Sequence, residues 1–158
     1  LGDVYKRQVY DPCLDECFYA WKGGGAYLNG QSLQVSSVRS MEASFVVTEL
    51  PYNSEQYART GEYLIRELYG RVAGIRMNGS AAIALCYVAA GRFDAWLEAF
   101  LGKWDFSAAA LIVQEAGGRV TDFYGNAGFI DGHHVVATNG WLHPFLLELV
   151  QKAMPLGM

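Results

Sequence analysis

The stretch from Trp104 to Gly118, WDFSAAALIVQEAGG, constrains this chain more than any other. Phe106, Ala109, Ala110, Ile112, Val113 and Ala116 recur at helical spacing, so the segment predicts a helix that is largely buried. Gly117 or Gly118 supplies the left-handed residue that ends such a helix, and Arg119-Val120-Thr121 then reads as a strand. Asp105 is the only acid in the first turn, where a carboxylate can meet free backbone N–H groups or a bound cation. An N-capping aspartate on a core helix and a metal ligand at the helix mouth both fit that position.

Elsewhere the chain alternates short strands with helices. Val9-Tyr10 ends a strand at Asp11-Pro12, and Cys17 to Trp21 and Ala26 to Leu28 form hairpin strands joined through Gly23-Gly24-Gly25. Asn29-Gly30 is a tight-turn signal before a strand from Gln31 to Val35. Phe45 to Thr48 is a short β-branched strand. A helix from Ser54 to Tyr69 follows, capped by Asn53 or Ser54 and ended by Gly70. Val72 to Met77 reads as a strand, Ser80 to Ala90 as a helix stopped by Gly91, and Phe93 to Leu97 as a strand. Val135 to Thr138 and an amphipathic helix from Trp141 to Ala153 close the chain, with Pro144 tolerated in the first turn. The pattern predicts an α/β class, a layered α+β sandwich with a mixed β-sheet, flanking helices and an antiparallel hairpin at one end.

Composition narrows the functional classes. A chain of 158 residues fills one domain with a real core. A net charge of −4 without any Lys/Arg cluster points away from a nucleic-acid polymer as partner. The longest apolar run, Ala81 to Ala90, is too short to span a bilayer, so no membrane partner is expected. Cys13, Cys17 and Cys86 are odd in number and lack CxxC spacing, which suggests a reduced, cytoplasmic setting with Cys86 buried in its helix. Asp3-Val4-Tyr5-Lys6-Arg7-Gln8 matches the translation of a transposon end used in sequencing-library preparation. Residues 1–8 are therefore expected to be a non-native leader, and residues 9–158 a single, N-terminally truncated domain.

From Val9 to about Ala137 the chain resembles the inositol monophosphatase family. Three pieces carry the resemblance, in the family's order and spacing: VYDPCLDECFYAWKGGGAYLNG, NGSAAIALCYVAAGRFDAWLE and WDFSAAALIVQEAGG. The resemblance implies the C-terminal portion of a Mg²⁺-dependent enzyme that hydrolyses inositol monophosphate or a similar polyol or sugar phosphate by metal-activated water attack. It implies that Asp105 is a catalytic, metal-ligating residue close to substrate. Glu98 matches the acid that accepts hydrogen bonds from hydroxyls of the alcohol moiety; a solvated strand-end acid is its plainer reading. Gly79-Ser80-Ala81 matches a G-[ST]-A turn that opens a helix beside the substrate, and Ser80 can serve as an N-cap at the same time. Histidinol-phosphatase and 3′(2′),5′-bisphosphate nucleotidase of the same superfamily are alternatives, as is a non-catalytic scaffold relative. A small phosphate monoester is the expected partner, with a homodimer at full length.

The family's other metal ligands form a Glu-Glu pair and an Asp-Pro-[ILV]-Asp-Gly-Thr motif, and neither motif occurs here. One carboxylate cannot retain Mg²⁺ at useful affinity, so this chain alone is expected to be inactive. Other candidates carry less. His133, His134 and His143 read as loop residues without zinc spacing, and Lys22-Gly23-Gly24-Gly25 as a hairpin turn rather than a phosphate loop. Asp11, Asp15, Glu16, Asp122 and Asp131 read as surface acids near turns.

Overall fold

The computed structural model describes residues 6–49, 55–128 and 133–154. The first four strands, β1 (Lys6–Asp11), β2 (Glu16–Trp21), β3 (Ala26–Leu28) and β4 (Gln31–Ser32), form an antiparallel meander in chain order. The β3–β4 turn is made by Asn29 at φ 49° and Gly30 at φ 87°, the two left-handed residues that a tight hairpin needs. Lys6, Arg7 and Gln8, which the sequence assigns to a leader, extend β1 and pair with Trp21, Ala20 and Tyr19.

The second sheet has the order β6-β5-β7-β9-β8, built from β5 (Phe45–Thr48), β6 (Gly74–Arg76), β7 (Ala95–Ala99), β8 (Arg119–Thr121) and β9 (His134–Thr138). Strand β5 runs parallel to both β6 and β7, whereas β9 is antiparallel to β7 and β8. Val47, Trp96, Val135 and Ala137 face one core, and Val46, Ala95, Leu97 and Val136 the other. Burial on both faces explains why these strands read as apolar runs rather than as clean alternation.

Helices α2 (Ala81–Ala89) and α3 (Lys103–Glu115) lie between the two sheets, packed on each other and on strands of both. Ala84, Ala89, Ala109 and Ala110 are buried there, and their small side chains let the two helices approach closely. Helices α1 (Glu55–Leu68) and α4 (His143–Ala153) cover the far face of the second sheet, with Leu64, Leu68, Leu142, Leu146 and Val150 closing that core. The result is four layers: sheet, helices, sheet, helices. Among the described residues no helix is long and apolar enough to cross a membrane.

Several boundaries differ from the sequence reading. Strand β4 ends at Ser32 rather than Val35, because the chain leaves the sheet and Val35 N–H donates to Ala116 O at the end of α3. Strand β7 sits two residues later than Phe93 to Leu97, because Arg92 and Phe93 still donate to Tyr87 O as the chain leaves α2. Of the three histidines only His133 precedes its strand; His134 is the first residue of β9 and His143 the first of α4, where it is fully buried. The proposed caps Asn53 and Ser54, and Asp131, lie outside the described residues. Cys86 is buried in α2, and desolvation pushes its thiol pKa up.

Candidate functional site

The parallel strands β6, β5 and β7 place their carboxyl ends along one edge of the sheet. The chain leaves β5 through α1 on one face to reach β6, then returns through α2 on the other face to β7. A sheet whose crossovers part to opposite faces leaves a crevice at those carboxyl ends, where ligands of α/β folds commonly bind. A cleft of about 390 Å³ lies there, lined by Gly79, Ser80, Ala81, Ala82, Glu98, Phe100, Leu101, Trp104 and Asp105. All five residues singled out in the sequence, Gly79, Ser80, Ala81, Glu98 and Asp105, therefore share one cavity.

Each reaches the cleft for a local reason. Gly79 takes φ +73°, and Ser80 caps α2 by accepting from Ile83 N–H at 3.4 Å. Capping α2 does not take Ser80 out of the cleft, which it still lines. Asp105 is not the N-cap of α3. Gly102 holds that position, and Asp105, three residues in, reaches back so that its Oδ2 accepts from Gly102 N–H at 2.8 Å.

The two-residue displacement of β7 changes Glu98 most. It lies inside the strand and half-buried, so the solvated strand-end reading does not hold. Its Oε2 is buried without a hydrogen-bond partner. Burial, then the negative charges of Glu49 and Asp105, push its pKa up to about 8, so the carboxyl carries a proton at neutral pH. A buried carboxyl oxygen in a cavity wall is a group that a polar ligand entering the cleft can meet.

Sequence reasoning missed three residues here. Glu49 follows β5 directly and accepts from Asn78 N–H at 2.6 Å and Gly79 N–H at 2.9 Å. Phe100, at φ +66°, holds a left-handed conformation unusual for a bulky residue, and Trp104 stands 86% exposed at the rim. The only sequence signal for Glu49 was its place at the end of a β-branched run, and the strand pairing that gives this meaning is not local.

The weaker candidates take structural roles. Glu115 accepts from Gly23 N–H at 2.8 Å and Gly25 N–H at 3.0 Å, so a carboxylate already holds that glycine loop. Glu16 pairs with Arg92, Asp11 accepts from Cys13 N–H, and Asp122 accepts from Tyr124 and Asn126 N–H. These acids are ordered by turns and pairing rather than free. His143 bridges Thr121 and Thr138 in the core.

Among the described residues no three His, Cys, Asp or Glu side chains converge to hold a metal ion. Asp105 offers one carboxylate, with one oxygen already engaged by Gly102. Mg²⁺ demands six oxygens in near-octahedral array, so the residues present do not by themselves make a magnesium site.

Comparison with known proteins follows the same lines. The sequence profile of the inositol monophosphatase family matches residues 8–154. Over 156 residues the chain is 44% identical to the Nus factor SuhB of Pseudomonas aeruginosa, covering 98% of this chain and 58% of that protein. It is 36% identical over 156 residues to the inositol-1-monophosphatase of Rhizobium meliloti, with the same shares covered. The solved structure of the Thermotoga maritima IMPase superposes with a TM-score of 0.88 at 33% identity, covering 99% of this chain and 59% of that one. The chain thus spans less than two thirds of the length of these relatives. It belongs to the inositol monophosphatase family.

Proposed function

We propose that this chain is the part of a phosphate monoester hydrolase that receives the alcohol end of its substrate, inositol monophosphate or a similar polyol or sugar phosphate. The observation that carries this reading is the convergence of Gly79, Ser80, Ala81, Glu98 and Asp105 on one cleft, with a buried Glu98 oxygen left without a partner. In the full-length protein Asp105 would supply one carboxylate ligand to a catalytic Mg²⁺, whose remaining ligands would have to come from outside the described residues. Glu98 and the first turn of α2 then bind and orient substrate hydroxyls. That protein is a cytoplasmic homodimer in this reading, and this chain alone is inactive.

The test is phosphate release by the full-length protein from inositol 1-phosphate, with histidinol phosphate and a 3′,5′-bisphosphate nucleotide alongside. Mg²⁺-dependent turnover of inositol 1-phosphate, abolished by Asp105→Asn, is the expected result. No turnover of any of the three with Mg²⁺ present refutes the reading. A second reading draws on the 44% identity to a protein named a Nus factor. On that reading this protein also serves a Nus factor's role, and the argument from charge against nucleic-acid partners does not extend to protein partners.

A further inference from the structure

We propose that Glu49 is a positioning residue of the cleft: its carboxylate clamps the backbone N–H groups of Asn78 and Gly79 and so sets the Gly79-Ser80-Ala81 turn against Glu98 and Asp105. This rests on the reading of the cleft as a substrate site, but the clamp itself is a matter of geometry. Strand β5 is the rigid partner. It is paired on both sides, and Val46 and Val47 are fully buried, so Glu49, one residue beyond its end, starts from a fixed base.

The segment it reaches is the opposite. Met77 is 54% exposed, Asn78 and Gly79 are exposed, and nothing lies within 4 Å of the point where a Gly79 Cβ would sit. Packing therefore does little to hold the turn. Gly79 also sits at φ +73° and is free to leave that conformation. The hydrogen bonds described for the Asn78 and Gly79 amides, at 2.6 and 2.9 Å, both end on Glu49 Oε1. Bonds from N–H groups to an ionised oxygen are roughly twice as strong as neutral ones, which makes this contact the main restraint on the approach to α2.

The consequence is division of labour at the head of α2. Glu49 occupies the two amides ahead of the helix, where an anionic ligand group would otherwise bind. Ala81 and Ala82, the first residues of α2, line the cleft just beyond that clamped segment, and Ser80 caps the Ile83 amide of the same turn. The turn is thereby shaped to receive neutral hydroxyls rather than the phosphate.

Full-length protein carrying Glu49→Ala, Glu49→Gln or no change decides this with two readouts. Amide hydrogen exchange at Asn78 and Gly79 should be about tenfold faster in Glu49→Ala, with exchange at Val46 and Leu85 unchanged; Glu49→Gln, which keeps an acceptor oxygen, should recover most of the protection. With inositol 1-phosphate, KM should rise about tenfold in Glu49→Ala while kcat stays within about threefold, again with recovery in Glu49→Gln. Unchanged exchange at the two amides overturns the clamp. Faster exchange with KM unmoved overturns the positioning role. If the unmodified protein turns over nothing, the phosphatase reading falls, and exchange alone then decides the clamp.

Discussion

On acidification from pH 7 to pH 5, one fully buried side chain, His143, should withdraw stability from this fold, a contribution read as the difference between the unmodified protein and a variant without the ring. The ring is fully buried at the start of α4, with Nε2 3.0 Å from Thr121 Oγ1 on β8 and Nδ1 3.1 Å from Thr138 Oγ1 on β9. The network assigns its protons. Thr121 donates its hydroxyl hydrogen to Asp122 O at 2.8 Å and can only accept from the ring, so Nε2 carries the hydrogen. Thr138 Oγ1 accepts from Gly140 N–H at 3.0 Å and keeps its own hydrogen for Nδ1. A second ring proton would set N–H against O–H in a fully buried site. Burial, helped by the charge of Arg119, pushes the pKa down from 6.5 to about 4. Below pH 6.5 the unfolded chain therefore takes up a proton that the folded chain refuses until about pH 4. Stability is fully present above that window and lost as pH falls through it. Linkage between those two values puts the loss from pH 7 to pH 5 at about 2 kcal/mol, approaching roughly 3 kcal/mol below pH 4. Urea unfolding at both pH values, for the unmodified protein and for His143→Asn, measures it. The variant starts less stable but lacks this slope. Equal losses in the two proteins, or an NMR titration of the ring near pH 6.5, would refute the reasoning.

Glu98 should behave in the opposite sense. Its carboxyl titrates at 4.5 in the unfolded chain and about 8 in the fold, so stability falls as pH rises between them. Glu98→Gln in metal-free buffer should raise stability by about 1 kcal/mol at pH 8, a figure discounted for solvent screening, and by nothing near pH 4.5; thermal unfolding at both pH values checks it. Gly118→Ala should destabilise by roughly 2 kcal/mol, because its Cβ would stand 2.6 Å from Val113 Cγ1 and 2.7 Å from Thr138 O. Denaturant midpoints test this, and a cost under about 0.5 kcal/mol would show that β9 and α3 yield more easily than their packing implies.

Much of this was legible in the sequence where the cause is local. Helical period fixed α2 and α3, with Ser80 as cap, and Gly117, left-handed at φ +89°, follows the end of α3. Asn29-Gly30 marked its turn for the same reason. Residues whose meaning depends on distant partners were not legible. The bridging role of His143 was not legible because its partners, Thr121 and Thr138, lie on strands whose pairing no local pattern reveals. Glu98 reads as exposed because a two-residue uncertainty at a strand's start decides whether a carboxylate ends the strand or lies within it. Glu49 carried only its place at the end of a β-branched run, since its partners Asn78 and Gly79 come from beyond an intervening helix.

The charge of the cleft bears on what it can accept. Glu98 and Asp105 line it, Glu49 clamps its edge, and none of the lining residues is Lys or Arg. Glu98 already responds by holding its proton. A phosphate monoester brings further negative charge into the same space, and at short range in a partly buried cleft like charges repel by several kcal/mol. Such a substrate can sit here only if a cation accompanies its phosphate, or if that phosphate is held beyond the cleft while its hydroxyls enter. In either case the acids of this chain offer acceptors that hydroxyls can use and none of the countercharge that a phosphate needs, which has to come from elsewhere.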